Sequence, residues 1–211
     1  MKIVIVGAGG QARVVCEILQ HDRNMEIVGF VDPVLKKPNE KILGLPVLGN
    51  FSIVPELIKK GVSSFIIGIG DNKLRAQRFK EMKNMKLEPI IAIHPAANIA
   101  SGVKIGKGSV IAIGATIARG ATIGNNVIIN TGAIVEHYDI IGDNVHICPG
   151  VALAGKVTIK KGAFVGIRSA VKEFLTIGEN AVIGAGAVVL EDIPANAVAV
   201  GVPAKVIKFN K

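Results

Sequence analysis

The chain has no tryptophan, one tyrosine and two cysteines in 211 residues. Its interior must therefore be built from small and branched aliphatics. Two cysteines, Cys16 and Cys148, make no disulfide framework; each reads as a small buried hydrophobe in a reducing compartment. Long apolar runs are missing as well. The opening "KIVIVG" runs straight into a glycine loop, too short for a leader peptide or a membrane span, and no later stretch reaches ~18 uninterrupted apolar residues. Acids are scarce relative to bases: 25 Lys and Arg against 16 Asp and Glu give a formal charge of +9. The excess is spread along the chain, with 14 bases against 9 acids in residues 1–96 and 11 against 7 in 97–211. Nucleic-acid binding asks for a concentrated basic stripe with interleaved aromatics, and neither is present. A diffuse positive surface fits small phosphorylated ligands better. What is abundant is glycine, 25 residues, within a chain that is 50% hydrophobic. That combination points to a turn-rich β architecture.

Two periods divide the sequence. Residues 1–94 alternate strand and helix signals: strands at Lys2–Gly7, Glu26–Asp32, Ser64–Asp71 and Glu88–His94, and helices over 11–20 and 73–86. This predicts a small Rossmann-like parallel α/β domain. "HPAANIA" then breaks the pattern. From Ile99 to Val189 every sixth residue is Ile, Val or Leu, sixteen times in succession. Two positions earlier in each hexad stands a small residue, mostly Ala, Val or Ser. A six-residue repeat of this kind predicts a parallel β-helix over 95–211, with short strands on flat faces and turns at the corners.

"GAGGQA" (Gly7–Ala12) matches G-x-G-x-x-A between a strand and a helix, and Asp32 ends the next strand. Glycines in this pattern let a phosphate approach the backbone at a helix N-terminus. A domain of about 94 residues with four strands is one mononucleotide-binding half, which argues against a full NAD(P) site.

Polar residues concentrate in "IVEHYDIIGDNVH" (Ile134–His146), which holds two of the four histidines. Asp139 stands in the slot that elsewhere holds Ala, Val or Ser, and a carboxylate there needs a partner. Transfer of an acyl group to an amine needs a base. A neutral imidazole can take the proton, a carboxylate can fix its tautomer, and a backbone N–H can hold the oxyanion. His21 and His94 read as surface or turn residues. A zinc site of the three-histidine kind cannot be built from this repeat region, which has only two histidines, so no metal is expected.

The hexads resemble those of the left-handed β-helix hexapeptide acyltransferases, and "EDIPANAVAVGVPAKVIK" (Glu191–Lys208) resembles that family's closing segment. The whole chain resembles the sialic-acid-cluster type of sugar acetyltransferases, nearest to bacterial nucleotide-sugar N-acetyltransferases that act on a 4-amino-4,6-dideoxy sugar. The resemblance implies the left-handed sense, three hexads per coil, acetyl-CoA as co-substrate, and a cytoplasmic homotrimer with active sites between subunits. It implies His137 as the base, on the segment "NTGAIVEH", and His146 as the second histidine. Gly155, one coil above His137, would supply the oxyanion amide. Asn130, His146, Gly155, Gly166 and Gly184 would line the acetyl-CoA site. Gly7, Gly9, Gly10, Gln11, Asp32, Lys36, Gly70 and Asn72 would hold the nucleotide sugar. Two departures stand out. Many relatives carry His where this chain has Gln11, and most carry an acid where it has Tyr138. The carboxylate orienting His137 must then be Asp139 or Glu136, with Asp139 favoured. The alternative reading of the same site is O-acetylation of a sugar or sialic acid.

Overall fold

Strand and helix signals alternating in the first 95 residues give a mostly parallel sheet, as the computed structural model shows. The structure describes residues 1–32 and 40–210, so Lys36 lies outside the described residues. Two units result, Met1–Pro95 and Ala96–Lys211.

In the first unit the elements run β1 (Lys2–Val6), α1 (Gly10–Gln20), β2 (Glu26–Val31), β3 (Lys41–Ile42), β4 (Leu45–Gly49), α2 (Val54–Lys59), β5 (Ser64–Ile67), α3 (Asn72–Asn84) and β6 (Glu88–Pro89). The sheet order is β3-β4-β2-β1-β5-β6, parallel except for the β3–β4 hairpin. Central strand β1 is buried from Ile3 to Val6, which is why it reads as an unbroken apolar run. The sequence pattern misses the β3–β4 hairpin. Its turn, Leu43–Gly44, has positive φ at both residues (50° and 80°), the primed geometry that suits a hairpin. One glycine beside a leucine is a faint signal for it, and Pro46 weakens the strand reading further. Of the expected fourth strand, 88–94, only Glu88–Pro89 pairs with β5, held by the Glu88 and Ile90 N–H groups on the Ser63 and Phe65 carbonyls. No described helix is long and apolar enough to cross a membrane.

The second unit carries a two-residue strand every six residues from Asn98–Ile99 to Val188–Val189. Through Ala170–Val171 each pairs in parallel with the strand 18 residues on, as in Val110↔Ile128↔His146↔Phe164↔Val182. Three hexads therefore make one coil. The second residue of each strand points inward; Ile111, Ile129, Val135, Ile147 and Ile159 are among those at 0% exposure. Burying each such side chain contributes ~1.5–3 kcal/mol, and the repeat supplies one per hexad.

Corners obey the same period. Left-handed backbone recurs at Gly108, Asn126, Asn144, Gly162 and Asn180, at Gly114, Gly132, Gly150, Arg168 and Gly186, and at Gly102, Gly120, Tyr138, Lys156 and Phe174. Asn and Gly tolerate this conformation; Arg, Lys, Tyr and Phe are strained in it. On the first corner, side chains form a ladder between coils. Asn125 Oδ1 accepts from the Lys107 N–H at 3.0 Å, and Asp143 Oδ1 from the Asn125 N–H at 2.7 Å. Asn126 Nδ2 donates to Asn144 Oδ1 at 2.7 Å. Part of the polar island, Asp143 and Asn144, is thus accounted for by the fold. At the end, Ala197–Val200 extends one face and Lys205–Phe209 folds back on it antiparallel.

Candidate active site

His137 is exposed at the third corner, and its imidazole is held by the residue before it. Glu136 Oε2 lies 2.9 Å from His137 Nδ1 and also accepts the His137 backbone N–H at 3.0 Å. The ring hydrogen bond, reinforced by the backbone one, holds the Glu136 carboxyl below its usual range. A carboxylate can only accept, so Nδ1 carries the proton and Nε2 presents its lone pair. The ring lies against Gly155, one coil above. A Cβ on Gly155 would fall onto the ring, 2.5 Å from Nε2 and closer still to Cε1. Gly155 is buried, yet its N–H meets no acceptor among the described residues. Buried N–H groups without a partner are rare and point to a ligand atom.

Asp139 is not the acid on the ring. It is fully buried, and its two oxygens accept from the backbone N–H groups of Glu136 (2.9 Å) and Val157 (2.7 Å). The reason is geometric: Asp139 sits in the inward slot, whereas Glu136 and His137 lie at the outer corner. Burial pushes the Asp139 carboxyl up to about 7, against the pull of its two N–H donors; the Glu136 charge adds to the rise and His137 opposes it.

His146 is buried on the strand face, its ring edge-on to Phe164 at 5.3 Å. Asn130 Oδ1 accepts the Thr131 N–H at 2.8 Å, which turns the amide nitrogen toward His146 Nε2 at 3.1 Å. Nε2 is then the acceptor, and His146 is protonated on Nδ1. Asn130, Gly166 and Gly184 share one corner column, 36 and 18 residues apart in the coil register. Tight packing accounts for both glycines. A Cβ on Gly166 would lie 2.6 Å from the Ile183 carbonyl, and one on Gly184 would lie 2.7 Å from Val200 Cγ1.

In the first unit, Gly7 (φ 104°) lets β1 turn beside Gly68, whose carbonyl a Cβ would meet at 2.8 Å. The Ala8 N–H donates to Asp32 Oδ2 at 2.7 Å, fixing the loop to the end of β2. Gly9 caps α1 without a side chain, and a Cβ on Gly9, Gly10 or Gly70 would meet open space. Gln11 Nε2 is buried with no hydrogen-bond partner among the described residues. Asn72 opens α3 behind Asp71, whose carboxylate caps the Leu74 N–H at 2.7 Å. Fully buried Arg75 was not singled out in the sequence; its guanidinium donates to the Gly70 carbonyl at 3.0 Å and shapes that loop from below. A lone arginine on a charged helix gives no signal of burial.

Comparison with known proteins bears on both units. The family model of the PglD N-terminal domain matches residues 2–82. The structure of PerB from Caulobacter crescentus in complex with CoA and GDP-perosamine superposes with a TM-score of 0.92 at 36% identity, covering 99% of this chain and 98% of that one. The acetyltransferase domain of PglB from Neisseria gonorrhoeae FA1090 in complex with acetyl coenzyme A gives 0.89 at 29% identity, covering 98% of each. Among curated proteins, the galactoside O-acetyltransferase of Escherichia coli K12 is 39% identical over 94 residues, covering 36% of this chain and 46% of its own. The chain thus spans less than half the length of that relative. The near-complete match to the Caulobacter enzyme, both units included, places this chain in the nucleotide-sugar N-acetyltransferase family, built on a left-handed β-helix of hexapeptide repeats.

Proposed function

We propose that the protein transfers the acetyl group of acetyl-CoA to the amino group of a nucleotide-linked sugar of the 4-amino-4,6-dideoxy type, in bacterial glycan synthesis. The observation that carries this is the Glu136–His137 pair beneath Gly155. His137 Nε2, its tautomer set by Glu136 on Nδ1, takes the amine proton as nitrogen attacks the thioester carbonyl. Glu136 stabilises the imidazolium that forms. The Gly155 N–H, already lacking an acceptor, donates to the developing oxyanion. The tetrahedral species then expels the CoA thiolate, which recovers a proton from the imidazolium. Asn130 and His146, with Gly166 and Gly184 in the same column, line the donor site. The bases Lys156, Lys160, Lys161, Arg168, Lys172 and Lys205 offer charge for CoA phosphates.

The first unit, residues 1–94, holds the nucleotide sugar through the Gly7–Ala12 loop, Asp32 and the Gly70–Asn72 turn. Open space over Gly9, Gly10 and Gly70 and the Gln11 Nε2, without a partner among the described residues, support that role. The protein works as a cytoplasmic homotrimer with sites between subunits. The solved Caulobacter enzyme, with CoA and GDP-perosamine bound, supports the substrate class.

Thiol release from acetyl-CoA, measured across GDP-, UDP- and dTDP-linked amino sugars and their hydroxy counterparts, tests the reading. Amino sugars are expected to turn over, with His137→Ala losing ~10³-fold or more in kcat. The local match to a galactoside O-acetyltransferase favours one second reading, O-acetylation, which turnover of hydroxy sugars alone would establish.

A further inference from the structure

The inward slot two residues before each hexad aliphatic holds a polar residue at Ser109, Asp139 and Ser169 only, and all three are buried. The serines bond only to backbone, Ser109 to the next coil and Ser169 within its own. Ser109 Oγ donates to the Gly124 carbonyl at 2.8 Å and accepts the Val127 N–H, 18 residues on, at 3.0 Å. Ser169 Oγ donates to the Gly166 carbonyl at 2.8 Å. Asp139 repeats the coil-to-coil bond of Ser109 through the Val157 N–H and adds a second, back to the Glu136 N–H of its own turn.

That turn carries His137. It runs from Glu136 to Asp139, closed by the Asp139 N–H on the Glu136 carbonyl at 3.3 Å. Tyr138 sits within it at φ 60°, where the two preceding coils have Gly102 and Gly120. A tyrosine is strained there, as Lys156 and Phe174 are in the next two coils, but only the Tyr138 turn has a carboxylate in its inward slot. The Lys156 N–H, next to Gly155, donates to the His137 carbonyl at 2.9 Å and Val157 to Asp139, so two adjacent residues of the upper coil grip one turn.

We propose that Asp139 is a positioning residue for His137: its carboxylate clamps the strained turn from inside the coil and locks it to the coil bearing Gly155. It never touches the ring; it sets where the Glu136–His137 pair stands relative to the Gly155 N–H. The role rests on the reading of His137 as base.

Asp139→Ala and Asp139→Ser separate this from simple stabilisation. Serine can keep the Val157 bond, as Ser109 does with Val127, but has no second acceptor for the Glu136 N–H. The expected result at about pH 8, where Asp139 is ionised, is that Asp139→Ser melts within a few degrees of the parent. Its kcat is expected to fall by about tenfold to a hundredfold with KM for acetyl-CoA unchanged, since a small misplacement of a catalytic group costs that much. In 15N NMR spectra, with the His137 signals assigned by their loss in His137→Ala, the single Nδ1–H tautomer is expected to give way to a mixture. Rescue of kcat by serine, or a kcat loss that only follows the melting temperature, would overturn the proposal; so would unchanged His137 signals. If the parent acetylates no amino sugar, the functional reading fails while the NMR comparison still decides the positioning role. Should Asp139→Ala not fold, the serine variant carries both measurements.

Discussion

The His137 ring occupies the space that a side chain on Gly155 would need. An ideal Cβ at Gly155 lies 2.5 Å from Nε2, well inside van der Waals contact. Eighteen residues separate the two, one turn of the coil, so the contact is a product of the repeat and not of local sequence. Glycine is demanded here by close approach alone, because the Gly155 backbone lies outside the left-handed region.

Gly155→Ala is therefore expected to fold. The methyl group must push the imidazole away from its place against the Gly155 backbone. A displacement near 1 Å costs ~10²-fold in rate. We expect kcat to drop by about that factor with the thermal midpoint nearly unchanged, read from thiol release and a melting curve. A variant with parental kcat would show that Nε2 does its work from another position.

Corner strain makes a prediction that involves no chemistry. Arg168 has φ 54° in a column otherwise filled by Gly114, Gly132, Gly150 and Gly186. Arg168→Gly and Arg168→Ala remove the same side-chain contacts, including the Arg168 Cγ that lies over Gly150. They differ in what the backbone tolerates. The glycine variant is expected to be more stable than the alanine variant by about 1 kcal/mol, although glycine is the more flexible when unfolded. Paired denaturant titrations measure the difference. Equal stabilities would mean that the corner relaxes out of the left-handed region.

The helix was readable from sequence because its rule is simple: one inward aliphatic per six residues, stacked at 18, leaves no freedom to hide in. The register at Val135 and Ile141 even places His137 at a corner and Asp139 inside. What the period does not carry is direction at the next level. Glu136 adjoins His137 and Asp139 lies two residues on, and the reading from sequence favours Asp139. Only the alternation of inward and outward positions decides: the inward acid finds backbone N–H groups, and the outward one finds the ring. The β3–β4 hairpin was hidden for a related reason. Its register depends on two positive φ values, and only Gly44 advertises one of them.

Asp139 also gives the fold a pH dependence of definite sign. Burial raises its carboxyl from an ordinary 3.8 to about 7 in the folded chain, with the neighbouring Glu136 charge contributing. Between those limits the folded state binds the proton more tightly than the unfolded state does. Stability from this group is thus fully present below about pH 4 and is lost as pH rises toward 7, at up to about 1.4 kcal/mol per pH unit. Asp139→Ser removes the titration and leaves Glu136 and His137 in place. Unfolding free energies of the two proteins, measured from about pH 4 to about pH 8, are expected to diverge, the parent losing ground to the variant as pH rises. An opposite slope would mean that the two backbone donors outweigh desolvation and keep Asp139 ionised throughout.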